Sequence, residues 1–147
     1  MKKVIYLFAF LLLPLVTVAQ EIKSPNGMVD LKFYLQNGRP TYEMTFKGKS
    51  VIKPSHLGLE LAKNKHASKG MDETDLMDGF QVSDSKTTSF DETWNPVWGE
   101  TSTIRNNYNE LAVTLNQPAT KRNIVIRFRV YDYGMGLRYE FPQQNEL

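Results

Sequence analysis

Strict alternation of apolar and polar side chains, repeated segment after segment, is what most limits the folds open to this chain. Ile124, Ile126, Phe128 and Val130 alternate with Arg127 and Arg129. After the turn residues Tyr133-Gly134-Met135-Gly136, the pattern returns as Leu137, Tyr139 and Phe141 against Arg138 and Glu140. A period of two sends successive side chains to opposite faces of an extended strand. The same signature appears earlier, where Val29, Leu31, Phe33 and Leu35 alternate with Asp30, Lys32 and Tyr34. Asn37-Gly38-Arg39-Pro40 supplies turn chemistry, and Tyr42, Met44 and Phe46 resume the alternation up to Lys47-Gly48-Lys49. This reads as a β-hairpin with one buried and one wet face. Leu57, Leu59 and Leu61 alternate once more, as do Leu111, Val113 and Leu115 ahead of the Gln117-Pro118-Ala119-Thr120 turn.

No segment after residue 20 carries an apolar stripe of period 3.6. The expected class is all-β, with antiparallel meanders packed as a sandwich. Alternation fails from Ala62 to Gly79, where a long exposed loop is expected, with one helical turn near Glu73 to Met77. Short strands are expected at Phe80 to Val82 and again at Thr87 to Phe90.

The first nineteen residues stand apart. Met1-Lys2-Lys3 is a basic start, Val4 to Val16 is almost wholly apolar, and Thr17-Val18-Ala19 places small residues at a cleavage site. This is the pattern of a secretory signal peptide, cleaved after Ala19. The competing reading, a membrane anchor, is disfavoured by Pro14 and by a run shorter than the ~20 residues a span needs. Residues 20–147 then form one domain, periplasmic or secreted, with no membrane anchor after cleavage. Losing Lys2 and Lys3 leaves 16 of the 18 cationic side chains against 16 acids, so the exported chain is formally neutral. A neutral chain lacks the electrostatic footprint of a nucleic-acid binder. The absence of cysteine removes disulfides, thiolate metal sites and cysteine nucleophiles.

Chemistry concentrates between Asp91 and Glu110. Both tryptophans, Trp94 and Trp98, fall there with Glu92, Glu100, Arg105, Tyr108 and Asn109. Indole faces stack on the C–H face of pyranose rings, and neighbouring Asn, Glu and Arg can bond hydroxyls. Equally, the two indoles can pack at a sandwich edge and merely hold a loop. Glu92 and Glu100 are the one conceivable carboxylate pair for glycosidic chemistry, but their spacing carries no specific signal. Asp72, Glu73, Asp75 and Asp78 do not match the spacing of a calcium loop and read as solvated. His56 and His66 sit in no recognisable triad, and His56, at a strand entrance, reads as a hydrogen-bonded structural residue.

Several pieces together carry a family resemblance. They are Ser24-Pro25-Asn26-Gly27, Pro54-Ser55-His56-Leu57-Gly58-Leu59, Glu92-Thr93-Trp94-Asn95-Pro96-Val97-Trp98-Gly99-Glu100, and Arg105-Asn106-Asn107-Tyr108-Asn109-Glu110-Leu111. Phe128-Arg129-Val130-Tyr131-Asp132 and Arg138-Tyr139-Glu140-Phe141-Pro142 complete the set. Across nearly the whole exported chain, these resemble the N-terminal domain of glycoside hydrolase family 97, a family of periplasmic α-glucosidases and α-galactosidases.

The resemblance implies the first part of a large galactose-mutarotase-like β-sandwich that precedes a catalytic (β/α)8 barrel. It also implies exo-acting hydrolysis of α-linked oligosaccharides, assisted by calcium, with the catalytic carboxylates on the barrel. A barrel needs ~250 residues. The expectation is therefore a domain truncated before the barrel, with no catalytic or metal-binding residue of its own. Trp94, Trp98, Glu100, Arg105, Tyr108 and Asn109 are the candidates for an edge facing the barrel or the sugar. The alternative is a free-standing carbohydrate-binding or structural module.

Overall fold

The computed structural model describes residues 19–61 and 75–145. The expected signal segment, His66 and most of the polar excursion lie outside the described residues. Eight strands follow one another: β1 (Gln20–Lys23), β2 (Val29–Gln36), β3 (Arg39–Phe46), β4 (Lys49–His56), β5 (Gln81–Trp94), β6 (Ile104–Gln117), β7 (Arg122–Tyr131) and β8 (Gly134–Glu140). They form two four-stranded antiparallel meanders, β1-β2-β3-β4 and β5-β6-β7-β8.

Turn chemistry fixes the hairpins. Asn37 and Gly38 both take positive φ, as do Lys47 and Gly48. That is the two-residue turn whose twist matches the flanking strands. Gly38 is needed twice over, because an added Cβ would also lie 3.1 Å from the Gly79 backbone nitrogen. The close approach lets Phe80 N–H donate to the Gly38 carbonyl at 3.0 Å, which ties the two sheets together. Pro54 sits in β4, the outermost strand of its sheet. An edge strand tolerates the missing N–H.

The alternation places the core. From β2, Val29, Leu31 and Phe33 meet Leu111, Val113 and Leu115 of β6 and Ile124, Ile126, Phe128 and Val130 of β7. Phe33 and Tyr42 pack their rings on Phe128 with centroids 5.7 and 5.9 Å apart.

Three expectations change. Thr87–Phe90 and the residues after Phe80 belong to one strand, β5, and all fourteen of its residues are exposed. β5 is a strand because its backbone pairs with β6 along its length, not because a face is buried. The alternating Leu57, Leu59 and Leu61 do not form a regular strand. Leu59 makes a single bridge to Leu76, and all three side chains pack against the core. Finally, the described end of the excursion is neither helical nor exposed throughout. Leu76 is completely buried.

That end is clamped by Gln117, which is 4% exposed. Its Nε2 donates to the Asp75 and Asp78 carbonyls at 2.9 and 2.8 Å, and its Oε1 accepts from Thr120 Oγ1 at 2.6 Å. Gln117→Ala strands these carbonyls without a donor. The expected loss is about 2 kcal/mol of unfolding free energy. Hydrogen exchange is expected to speed up first at the Leu76 and Phe80 amides, with the β2 amides unchanged.

Candidate functional site

β6 pairs with β7 only as far as Asn109↔Val130, but its pairing with β5 continues from Phe90↔Tyr108 to Trp94↔Ile104. The far end of this hairpin is therefore a two-stranded arm, about 15 Å long at ~3.4 Å per residue. An isolated pair of strands is marginal in water, and two side-chain contacts brace this one. Arg105 grips Asp91 with two parallel bonds, Nε to Oδ1 at 2.8 Å and Nη2 to Oδ2 at 2.7 Å. The Arg105 guanidinium holds the Asp91 carboxyl below its ordinary range. On the other face Phe90 stacks on Tyr108, with centroids 5.2 Å apart.

Residues 95–103 cap the arm. Trp98 is 88% exposed, Val97 is fully exposed, and Trp94 at the end of β5 is 48% exposed. Thr103 Oγ1 donates to Asn95 Oδ1 across the base of the loop. Glu100 is exposed in the same loop, and Glu92 is exposed on β5.

The six candidates from the sequence separate into two groups. Trp94, Trp98 and Glu100 gather at the tip, with Arg105 just behind them and engaged by Asp91. Tyr108 is 6% exposed, inside an aromatic ladder that runs Phe90–Tyr108–Tyr131–Tyr133 across the sheet. Asn109 faces the first sheet. Its Nδ2 donates to the Lys23 carbonyl at 2.8 Å, and its Oδ1 accepts from Ser89 Oγ. His56 has the structural role expected, with Nδ1 3.0 Å from Thr41 Oγ1.

Sequence reasoning missed a charged network on the outer face of the second sheet. Arg127 bridges Glu110 and Glu140, Arg129 Nε donates to Glu110 Oε2 at 2.7 Å, and Arg138 pairs with Glu140. Arg129 also lies over the Tyr108 ring, 4.6 Å from its centroid. Hydrogen bonding by Arg127, seconded by Arg138, holds the Glu140 carboxyl down at about 2. Burial pushes the Glu110 carboxyl up, but Arg129 and Arg127 outweigh it and the net direction is down. The available signal was the like parity of Arg127, Arg129, Arg138 and Glu140 along their strands.

Calcium takes six to eight oxygen ligands. Among the described residues no three His, Asp or Glu side chains are gathered to hold a metal ion. Asp75 spends Oδ1 on the Leu61 amide.

Two antiparallel meanders joined face to face, with one hairpin carried past the core, define an all-β sandwich domain. The family model for the glycosyl-hydrolase 97 N-terminal domain matches residues 22–147. The chain belongs to this family. Among solved structures it is similar to a glycoside hydrolase family 97 enzyme from Pseudoalteromonas sp. strain K8, seen in complex with panose and with acarbose. Identity is 30% and the TM-score is 0.74 in both cases. The match covers 85% of this chain and 18% of that one, so this chain spans under a fifth of the relative's length. A β-arabinopyranosidase shares the fold at 21% identity and a TM-score of 0.71.

Proposed function

We propose that this chain is the N-terminal domain of an exo-acting α-glycoside hydrolase of the α-glucosidase or α-galactosidase type. In this reading it supports a separate catalytic barrel, and its β5–β6 arm supplies an edge that meets the barrel and the α-linked oligosaccharide. The observation that carries the reading is the tip itself. Two indoles and a valine are held in solvent by a braced arm, and exposed apolar groups gathered this way mark a contact surface. Membership of the family, and likeness to an enzyme seen with panose and acarbose, support a sugar-processing partner. Residues 1–19 would export the protein to the periplasm or beyond, so the N-terminus of the exported protein should be Gln20.

The test joins this domain to the coding sequence downstream of it and assays the p-nitrophenyl α-glucoside and α-galactoside. Hydrolysis of either by the longer protein is expected, and Trp98→Ala should reduce kcat/KM about tenfold or more. In the present chain the same substitution should leave unfolding free energy within about 0.5 kcal/mol, since the side chain touches little. A longer protein that cleaves neither glycoside, or one indifferent to loss of both Trp94 and Trp98, would sink the proposal.

A further inference from the structure

The outer face of the second sheet holds a cavity that the proposed function does not use. Register sets Thr88, Glu110, Arg129 and Gly136 in one cross-strand row, and Lys86, Ala112, Arg127 and Arg138 in the next. Opposite Arg129, β8 offers no side chain, and a Cβ built on Gly136 would meet nothing within 4 Å. The gap is an open cavity of about 180 Å³ lined by Arg127, Arg129, Gly136, Leu137 and Arg138. Three arginines thus line a gap in which Gly136 presents no side chain.

The two carboxylates of the network do not exhaust those donors. Arg127 engages all three of its nitrogens, Nε and Nη2 with Glu140 and Nη1 with Glu110. Among the described residues, Arg129 hydrogen-bonds through Nε alone, to Glu110, and Arg138 through Nη2 alone, to Glu140. Both Nη groups of Arg129, and Nε and Nη1 of Arg138, keep donors for another acceptor. Three cations against two carboxylates leave one positive charge. Glu110 and Glu140 also pin the arginines in place, which lowers the ordering cost of binding.

We propose that this cavity binds the carboxylate of a small acidic ligand, held between Arg129 and Arg138 over Gly136. Planar guanidinium forks match a carboxylate in geometry and in charge-assisted bonding. The single uncompensated charge suits a monoanion. The site adjoins the base of the arm, where Arg129 lies over Tyr108, but it uses no residue of the tip and stands whether or not the arm meets a barrel.

The test is an amide NMR titration of the full chain with glucuronate, with acetate, and with glucose as a neutral control. Saturable shifts at Arg129, Gly136 and Arg138 are expected with the carboxylates and not with glucose. Glucuronate binding more tightly than acetate would make the ligand a sugar acid; equal binding would make it a bare carboxylate group. Arg138→Gln should weaken binding about tenfold. Gly136→Val fills the cavity without touching a charge, at a residue that needs no left-handed φ, and valine suits a strand. It should abolish the shifts. Absence of saturable shifts with either carboxylate in the wild-type chain overturns the proposal, as does undiminished binding in Gly136→Val.

Discussion

Phe128→Ala is expected to lower the free energy of unfolding by about 3–5 kcal/mol, the usual cost of emptying a large aromatic site in a core. Phe128 is fully buried and touches rings on two strands of the opposite sheet, Phe33 on β2 and Tyr42 on β3. Its removal opens a void between the sheets, where neither backbone can close in without breaking its own pairing. Total stability of a domain this size is about 5–15 kcal/mol, so the variant should sit near the edge of folding. Urea denaturation followed by tryptophan-independent circular dichroism measures it. The midpoint should fall steeply with the slope unchanged. A shift no larger than that of Thr88→Ala, on the exposed strand, would contradict the packing of the two sheets described above.

Glu110→Ala should cost about 2–3 kcal/mol, because it leaves Arg129 and one arm of Arg127 without a counter-charge at a site that is 8% exposed. The same network predicts a pH dependence. Glu110 and Glu140 titrate below their ordinary value in the folded chain, Glu140 at about 2. In acid the unfolded chain therefore binds protons before the folded one does. The stabilisation is complete above ~pH 5 and is lost as pH falls from about 4.5 towards 2. Unfolding free energies at pH 7 and pH 3 should converge in Glu110→Ala relative to wild type. An equal loss in both proteins would show that Glu110 contributes nothing to the acid limb.

Strand identity was largely legible because burial leaves a local trace. Each residue of Val29–Phe33, Leu111–Leu115 and Ile124–Val130 announces its face by its neighbours two positions away. β5 escaped that reading. Ser85, Thr87 and Ser89 point the same way as Val113, Leu111 and Asn109, yet they stay exposed, so no apolar alternation marks the strand. Leu76 escaped for the opposite reason. It is one buried side chain among acids, held by a single bridge to Leu59, and a lone leucine has no period. Of the candidate site, the tryptophans and Glu100 were legible as a polar, indole-rich stretch that suits a surface. The sequestration of Tyr108 and Asn109 was not, because it depends on Arg129, Tyr131 and Lys23, which are remote in sequence.

The sequence by itself determined that this protein is built of strands, which side of most strands is apolar, where the hairpins turn, and which family its motifs resemble. Those properties follow from the two-residue period of an extended chain and from turn residues that tolerate positive φ, both local matters. Only the tertiary structure decided that β5 and β6 run past the core as an arm and that Leu76 completes the core. It also decided that Glu110, though on the outer face of a sheet, is buried among arginines. These outcomes depend on how far two pairings extend and on which strands lie side by side, and alternation carries no information about either.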